Sequence, residues 1–284
     1  MQTVPLILIF ILMFSSSCNQ TDEADNSEQP FGNNPSAGKH YDIRGFKMYC
    51  ETYGEGEPLL LIHGNGGSIK QFAGQIPYFS KKYKIIAADS RSQGKSNDPG
   101  DTLSYEMMAD DYAALLDAMK IDSAYVIGWS DGGINGLLLS SRHPQKVKKL
   151  ASTGANLWSD TTSLYEDFID LVQPSYSSLR DKADKTDAEK NEWKLTRLIV
   201  EEPNIQLSEI NKIQCPSLII GGDHDVIKEE HTMLIFKNIP KAYLWILPNS
   251  GHSTLITYKD QFNKVVDDFF SKPYRELAGK ERFE

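Results

Sequence analysis

The run Ala124-Tyr125-Val126-Ile127-Gly128-Trp129-Ser130-Asp131-Gly132-Gly133 is the most informative stretch of this chain. A short apolar segment, typical of a buried strand, ends in Gly-x-Ser-x-Gly, and small residues suited to a helix start follow. A sharp strand-to-helix turn strains the backbone, and a Cβ at either flanking glycine would clash there. The pattern therefore predicts that the Ser130 hydroxyl and the Asp131 N–H point towards the same place. Alone, it also fits an ordinary glycine-rich turn, so other segments must supply partners for Ser130.

Size and charge place the chain among globular α/β domains. Its 284 residues, 40% of them hydrophobic, suffice to bury a large core in one domain. The net charge of −9 is unevenly spread, because residues 1–30 hold four acidic and no basic residues, and residues 155–211 hold twelve acidic and six basic ones. No basic stripe stands out in the sequence, so nucleic acid is not expected as a partner.

Residues 1–18 have the pattern of an export signal. The apolar run over 4–14 is shorter than the roughly 20 residues that span a bilayer, but it suits the core of a signal peptide. Small residues lead from it into Cys18, which resembles a bacterial lipoprotein signal, in which that cysteine is lipidated and becomes the mature N-terminus. An ordinary cleaved signal is the alternative. We predict an exported protein, anchored by lipid to a membrane of a bacterial cell envelope.

A polar stretch separates this signal from the folded part. Residues 19–38 contain almost no large apolar side chains, so they cannot bury enough surface to order themselves, and we predict a disordered acidic tether. The folded domain is expected to span 39–284. Within it, Cys50 and Cys215 fall in or beside predicted strands, where free buried thiols are more common than a disulfide.

From residue 39 onwards, strand patterns alternate with helical patterns. Most of the strands are short and wholly apolar, as expected where both faces of a parallel sheet are buried. We predict strands over 46–53, 59–62, 84–88, 124–127, 147–151, 217–220 and 243–247. Helical patterns separate them over 105–120, 134–142, 229–238 and 255–270. The alternation predicts an α/β fold with a mostly parallel, doubly wound sheet and helices on both faces.

One stretch, from about 155 to 211, lacks any buried-strand pattern. It contains helix-like segments over 164–172 and 186–202, and the second opens with a capping box formed by Thr186 and Glu189. Roughly sixty residues are too many for a bare loop in a compact domain. We therefore predict an inserted helical cap over the sheet.

Further segments supply possible partners for Ser130. Acyl transfer to a serine requires a base, an acid that orients the base, and donors for the developing oxyanion. In this type of strand-turn-helix site the acid and then the histidine follow the serine in the chain. Asp223 and Asp225 follow one predicted strand, and His252 follows the next. Ahead of Ser130, another strand runs into the glycine-rich turn over 63–67, which can aim backbone N–H groups.

Taken together, these residues resemble an α/β-hydrolase over positions 40 to 272, essentially the whole folded part. Within that superfamily, three segments are similar to the biphenyl-hydrolase-like, valacyclovirase-type esterases. They are Gly128-Trp129-Ser130-Asp131-Gly132-Gly133-Ile134, Gly154-Ala155-Asn156 and Ile213-Gln214-Cys215-Pro216.

This resemblance implies a role for each site residue. Ser130 is the expected nucleophile, and His252 the expected general base and acid. The backbone N–H groups of Asn65 and Asp131 are the expected oxyanion donors. The orienting acid is expected at the fourth position of the Gly-x-x-Asp pattern that starts at 222, hence at Asp225. Asp223 is the alternative candidate for this role.

The side chain of Asp131 is unusual beside a nucleophile. Many relatives carry an apolar residue or Gln there, whereas the valacyclovirase-like group carries an acid, and the resemblance implies a carboxylate able to meet a substrate's α-ammonium group. Such a carboxylate attracts a cation and penalises an anionic acyl group, and the acidic cap fits a cationic substrate. Equally, a nearby Arg or backbone N–H could hold Asp131 away from substrate. Trp129 and Trp158 are expected to pack in the core or cap, and both could line the pocket.

Other short motifs carry less information. Residues 89–96 resemble the structural Asp-x-Arg-Gly-x-Gly-x-Ser loop of α/β-hydrolases, with Ser92 in place of the usual glycine. His224 and His231, on either side of the expected acid, match no zinc spacing, so no metal is expected. His63, just ahead of the glycine-rich turn, is expected to be a packed, hydrogen-bonded histidine.

We predict a serine hydrolase that cleaves carboxylic esters through an acyl-enzyme and needs no cofactor. The expected partner is a small-molecule ester, with aminoacyl or cationic esters favoured, and no obligate protein partner is evident. The same triad could instead serve an aminopeptidase, a C–C hydrolase acting on dienoic ketones, or a perhydrolase. A catalytically silent binding module is the alternative from another class. Intact Ser130, Asp225 and His252 argue against it, because a binding module does not need all three.

Overall fold

Eight strands form one sheet in the computed structural model, which describes residues 31–283. The strands are β1 (Gly38–Ile43), β2 (Phe46–Tyr53), β3 (Glu57–Ile62), β4 (Tyr83–Ala88), β5 (Ala124–Trp129), β6 (Val147–Thr153), β7 (Ser217–Gly222) and β8 (Ala242–Leu247). Their order is β1-β2-β4-β3-β5-β6-β7-β8; β2 runs antiparallel to both neighbours, and the pairs from β4 to β8 are parallel. The predicted mostly parallel sheet is confirmed.

Helices cover both faces of this sheet. The α-helices are α1 (Ile76–Phe79), α2 (Tyr105–Ala118), α3 (Asp131–Arg142), α4 (Glu166–Asp181), α5 (Asp187–Glu201), α6 (Leu207–Ile210), α7 (Glu229–Lys237), α8 (Thr254–Thr257) and α9 (Lys259–Ser271). One core packs α2, α3 and α7 against Leu60 and Val126, and the other packs α1 and α9 against Leu59 and Ile127. Successive strand residues point to opposite faces, so the apolar runs of β3 and β5 supply both cores.

Two helical segments differ from their predicted spans. The helix expected over 255–270 divides into α8 and α9, because the backbone of Tyr258 leaves the helical region with φ −113° and ψ 38°. The helix expected over 164–172 continues through Pro174 to the end of α4. Pro174 is exposed, so the carbonyl that it leaves without a backbone donor can bind water.

The first strand was not predicted. β1 pairs with β2 through the two-residue turn Arg44-Gly45, whose φ angles of 42° and 91° are both positive, as in the hairpin turn whose twist suits antiparallel strands. Lys39, His40 and Asp42 of β1 are exposed. A short edge strand pairs on one side only and need not bury apolar side chains, so it lacks the pattern that revealed the other strands.

The predicted disordered tether over 19–38 was wrong for residues 31–38. The buried carboxylate of Glu51 accepts hydrogen bonds from the backbone N–H groups of Gly32 and Asn34 at 2.7 and 2.8 Å, and from two tyrosine hydroxyls. A buried carboxylate requires donors of this kind. The segment is thus held by its backbone, which a count of apolar side chains does not detect.

The predicted signal sequence, the lipid attachment at Cys18 and the acidic stretch up to residue 30 lie outside the described residues. Within residues 31–283, none of the helices combines the length and the apolar character needed to cross a bilayer. Cys50 and Cys215 are free and buried, which is the more common of the two outcomes considered from the sequence.

The segment between β6 and β7 contains α4, α5 and α6. The predicted capping box of α5 is confirmed, since Thr186 Oγ1 accepts the Glu189 N–H at 3.3 Å and the Glu189 carboxylate accepts the Thr186 N–H at 2.9 Å. Buried Lys194 attaches α5 to the loop after β4, because its ammonium group donates to the carbonyl of Gly100 at 2.8 Å. This bond joins the helical segment to the sheet near the carboxyl ends of the strands.

Candidate active site

Ser130 stands between β5, which ends at Trp129, and α3, which begins at Asp131. Its φ of 56° and ψ of −120° are strained for a residue with a side chain. The Ser130 N–H donates to the carbonyl of Thr153 at 2.9 Å, and the Ser130 carbonyl accepts the Ile134 N–H at 3.1 Å. These bonds hold the strained strand-turn-helix geometry that the Gly-x-Ser-x-Gly pattern predicts.

Close backbone packing explains both glycines of the motif. A Cβ on Gly128 would lie 2.0 Å from the Gly132 carbonyl oxygen, and one on Gly132 would lie 1.9 Å from the Ile62 carbonyl oxygen. The start of α3 therefore packs directly on the end of β3. This packing brings the loop after β3 close to the nucleophile, since a Cβ on Gly64 would be only 3.2 Å from the Ser130 Cβ.

Replacing Gly132 with alanine is expected to lower the free energy of unfolding by about 4 kcal/mol or more, because the new methyl group meets backbone that cannot move without displacing β3. Thermal unfolding followed by circular dichroism would measure the change. Gly74→Ala is the matched control, since its added Cβ would lie 3.5 Å from the nearest atom, an ordinary contact. Equal stability of the two variants would contradict the packing argument.

Three side chains from separate loops form one chain of hydrogen bonds. His252 Nε2 lies 2.9 Å from Ser130 Oγ, and His252 Nδ1 lies 2.6 Å from Asp225 Oδ1. These residues follow the carboxyl ends of β5, β7 and β8, which meet at one edge of the sheet. An imidazole held by a carboxylate at one nitrogen can accept a hydroxyl proton at the other.

The two acids after β7 have different partners. Asp225 is buried and contacts the imidazole of His252. Asp223 instead accepts hydrogen bonds from the backbone N–H groups of Asn249 and Ser250, at 2.9 and 3.0 Å. Asp223 therefore stabilises the turn that leads to His252, whereas Asp225 orients the ring.

Two further contacts position His252. Trp129 Nε1 donates to the His252 carbonyl at 2.9 Å, so this tryptophan holds the histidine loop through its polar edge. Gly154 has φ 62°, and a Cβ there would lie 2.8 Å from His252 Cε1. A side chain at position 154 would therefore displace the imidazole from Asp225.

The histidine and the acid favour charge on each other. Burial lowers the pKa of His252, but the Asp225 carboxylate outweighs it, and the net pKa is raised above the ordinary value. Burial likewise raises the pKa of Asp225, and the imidazole outweighs it, so the net pKa of that carboxyl is lowered. The arrangement therefore stabilises the imidazolium that a proton taken from Ser130 would create.

Asn65 and Asp131 lie beside Ser130 in two different elements. Asp131 is the first residue of α3, and the first N–H groups of a helix have no acceptor within it. Asn65 lies in the turn after β3, which the Gly67 N–H closes on the Gly64 carbonyl at 3.1 Å. The Asn65 side-chain amide donates to Asp131 Oδ2 at 2.9 Å, so the structure brings together the two residues whose backbone N–H groups are the expected oxyanion donors.

The carboxylate of Asp131 is 4% exposed and lies between two neutral donors. The Tyr105 hydroxyl donates to Oδ1 at 2.8 Å, and Asn65 Nδ2 donates to Oδ2 at 2.9 Å. Burial raises the pKa of Asp131 to about 6, although the bonds from Tyr105 and Asn65 and the nearby His252 act to lower it. An ionised carboxylate offers about four lone-pair sites, so two remain for another donor. In the described part of the chain, Asp131 is thus held by Tyr105 and Asn65, and not by the arginine or backbone N–H considered from the sequence.

Sequence reasoning missed two residues of this region. Tyr105, fully buried in α2, was recognised only as part of a helical pattern. Gln71 Oε1 accepts the Gly64 N–H at 3.1 Å and supports the loop after β3. No local signal marks either residue, because each contact joins positions that only the tertiary fold brings together.

Trp158 packs against His231. Its ring lies edge-on to His231 at 5.0 Å, and its Nε1 donates to the Ile205 carbonyl at 3.1 Å. His231 Nε2 accepts the Leu157 N–H at 2.9 Å, so this pair holds the segment after β6 on α7. His224, the other histidine near the acid, is exposed. Within residues 31–283, no group of three His, Cys, Asp or Glu side chains is arranged to hold a metal ion.

The loop over 89–96 is structural, as its resemblance implied. Asp89 accepts the backbone N–H groups of Ile69 and Lys95 at 2.9 and 2.7 Å. Arg91 forms two hydrogen bonds with the buried carboxylate of Asp111, at 2.7 and 2.8 Å. These bonds join the loop after β4 to α2 and to the segment that follows the Asn65 turn.

The family described as alpha/beta hydrolase fold matches residues 57–199, just over half of the chain. Serine hydrolase BPHL of Mus musculus is 27% identical over 244 residues, covering 80% of this chain and 84% of that protein. 2-Hydroxymuconate semialdehyde hydrolase of Pseudomonas sp. (strain CF600) is 26% identical over 274 residues, covering 84% of this chain and 96% of that protein.

A solved structure supports the same fold. The crystal structure of the enol-lactonase from Burkholderia xenovorans LB400 aligns with a TM-score of 0.68 and 21% identity, over 82% of this chain and 100% of that one. At this identity the likeness shows the fold alone. Sheet order, the strained serine turn and the family match agree, and this chain is a hydrolase that belongs to the α/β-hydrolase fold family.

Proposed function

We propose that this protein hydrolyses carboxylic esters through an acyl-enzyme. Ser130 Oγ attacks the ester carbonyl carbon while His252 Nε2 takes the hydroxyl proton, and the N–H groups of Asn65 and Asp131 stabilise the oxyanion. His252 then gives that proton to the leaving alkoxide, which departs as an alcohol and leaves the acyl group on Ser130. Water, deprotonated by His252, attacks the acyl-enzyme, releases the acid and restores the serine. Asp225 keeps the imidazole oriented throughout.

The continuous hydrogen-bonded chain from Ser130 through His252 to Asp225 carries this proposal. The strained serine backbone places its hydroxyl where a helix N-terminus can stabilise negative charge. The BPHL relatives are named serine hydrolases, and hydrolysis by a serine is the class of reaction to which this proposal belongs.

A fluorophosphonate probe tests the proposal without a choice of substrate. The probe phosphonylates activated serines, and we expect one adduct, mapped by mass spectrometry to Ser130 and absent from heat-denatured protein. An adduct followed by turnover of simple esters supports ester hydrolysis. Labelling with turnover only of amides would instead favour the aminopeptidase, and labelling with acyl transfer only to hydrogen peroxide, which gives a peracid, would favour the perhydrolase. A folded protein that gives no adduct would favour a binding module.

We propose further that Asp131 favours esters of amino acids or other cations. Its carboxylate adjoins the nucleophile and, among residues 31–283, accepts hydrogen bonds from the neutral groups of Tyr105 and Asn65 alone, which leaves lone pairs for an ammonium group. A cation so placed gains Coulomb energy beside a carboxylate that is itself buried, whereas an anionic acyl group is repelled. The acidic character of residues 155–211 would add to the attraction.

Two p-nitrophenyl esters of the same shape, L-alanyl and isobutyryl, test this preference. Asp131→Asn is expected to lower the alanyl-to-isobutyryl ratio of kcat/KM by about 10- to 100-fold, because it removes the charge and keeps the shape. In the native protein the ratio should fall as pH drops through about 6, where the Asp131 carboxylate becomes protonated. Both esters use the same triad, so titration of His252 cancels in the ratio. An unchanged ratio in the variant would exclude this role.

C–C bond hydrolysis is the second candidate, favoured by the similarity to 2-hydroxymuconate semialdehyde hydrolases. The names of those relatives describe a carboxylate compound. A substrate carboxylate close to Asp131 would be repelled, which is why we rank ester hydrolysis first. Turnover of a dienoic ketone carboxylate faster than that of the alanyl ester would reverse the ranking.

A further inference from the structure

His63 is buried at the end of β3, next to the turn that carries Asn65. Its ring has two partners: the Ser90 N–H lies 2.9 Å from Nε2, and the Gly64 carbonyl oxygen lies 2.8 Å from Nδ1. His63 takes no part in the proton transfers proposed for Ser130 and His252. It was expected to be packed and hydrogen-bonded, and the structure shows that both ring nitrogens bond to backbone groups.

The two partners determine which nitrogen carries the proton. A backbone N–H only donates, so Nε2 must accept the Ser90 N–H with its lone pair. A carbonyl only accepts, so Nδ1 must carry hydrogen and donate it to Gly64. The ring is thus neutral with its proton on Nδ1. Burial, which lowers the pKa of His63, agrees with the neutral form.

The Gly64 carbonyl and the Asn65 N–H belong to the same planar peptide unit and point in opposite directions. Any rotation of that plane turns both groups together. The hydrogen bond from His63 Nδ1, assisted by the Gly67 N–H at 3.1 Å from the same oxygen, therefore sets the direction of the Asn65 N–H. An oxyanion donor has to lie within about 2.7–3.1 Å of the charge that it stabilises, so a small rotation removes much of its effect.

We infer that His63 is a positioning residue, which aims the Asn65 N–H at the oxyanion by holding the Gly64 carbonyl. The inference rests on the proposed acyl-enzyme chemistry. The side chain of Asn65 is fixed separately, by Asp131 Oδ2 at 2.9 Å and by the Leu195 carbonyl at 3.2 Å. Those bonds restrain the side chain, whereas His63 restrains the peptide plane itself.

Two substitutions each remove one of the two hydrogen bonds of His63 and keep the other. In His63→Asn, the side-chain nitrogen occupies the place of Nδ1 and can still donate to Gly64, but the acceptor for Ser90 is lost. In His63→Gln, the side-chain oxygen occupies the place of Nε2 and can still accept from Ser90, but the donor to Gly64 is lost. Each variant loses one hydrogen bond, and only the second releases the peptide plane that carries the Asn65 N–H.

The full chain and both variants are compared by the rate of Ser130 phosphonylation, by kcat and KM for p-nitrophenyl acetate, and by thermal unfolding. We expect His63→Gln to label about 100-fold more slowly and to lose kcat with little change in KM, because the effect falls on the transition state. We expect His63→Asn to label within about tenfold of the native rate. Its unfolding temperature should nevertheless be the lower of the two, because it leaves the buried Ser90 N–H unpaired.

A purely structural role predicts a different result, in which activity follows stability and His63→Asn is the slower variant. That outcome, or equal labelling of both variants, would overturn the inference. If His63→Asn does not fold, His63→Gln alone decides, since labelling at the native rate in a folded protein refutes the positioning role. Absence of labelling in the native protein would be a failure of the proposed function instead, so the two failures are distinguishable.

Discussion

Replacing Ser130 with alanine is expected to lower ester turnover by about a million-fold, because the nucleophile and its base act as one unit. The fluorophosphonate adduct should disappear with it. The substitution removes one hydroxyl and its hydrogen bond to His252 Nε2, so the free energy of unfolding should change by only about 1 kcal/mol. Initial rates on the alanyl ester, together with thermal unfolding, would measure both effects.

Ser140→Ala is the matched control. Ser140 is also buried, and its hydroxyl donates to the Gly136 carbonyl within α3, at 2.8 Å, and interacts with the buried Cys215 thiol. This variant should keep nearly full activity and the Ser130 adduct. Turnover in Ser130→Ala close to that of the control would show that another group performs the attack, and the acyl-enzyme mechanism would be wrong.

Replacing Asp225 with asparagine is expected to lower kcat by about ten-thousand-fold, because an amide can present its NH₂ group to the imidazole and favour the wrong tautomer. The pH profile should change as well. In the native protein Asp225 raises the pKa of His252, and activity requires the neutral ring, so the acidic limb is displaced upward from the ordinary pKa of histidine. Without that carboxylate, the limb should move to lower pH while kcat falls.

Asp223→Asn is the control for this change of charge. Asp223 accepts hydrogen bonds from the loop before His252, at 2.9 and 3.0 Å, and it has no contact with the imidazole. We expect a loss of kcat within about tenfold and an acidic limb that stays in place. If the Asp223 variant showed the larger loss of kcat and the shifted limb, the two acids would have to exchange roles.

Much of the site could be predicted from sequence because its residues lie next to glycine-rich turns and strand ends, which have recognisable local patterns. A nucleophile elbow requires glycine on both sides of Ser130, and the two atoms that a Cβ would meet, at 2.0 and 1.9 Å, show why. The loops that carry Asp225 and His252 each follow a short apolar strand, β7 and β8, which is recognisable in the sequence. These signals depend on residues within a few positions of one another.

The environment of Asp131 could not be predicted in this way. Its donors are Asn65 and Tyr105, which lie 66 and 26 positions away in the chain. Neither Asn nor Tyr carries a pattern that links it to a distant carboxylate. The raised pKa of Asp131 follows from its burial, which the fold as a whole determines.

The amino-acid sequence by itself determined the alternation of strands and helices, the strained turn at Ser130 and the order of the acid and histidine, because these depend on side-chain period and turn chemistry. Only the tertiary structure decided that Glu51 holds residues 31–38 and that His63 is protonated at Nδ1. The physical reason is that buried polar groups must find hydrogen-bond partners wherever the packed chain brings donors and acceptors together. Such partners are often far apart in the sequence, so no local pattern predicts them.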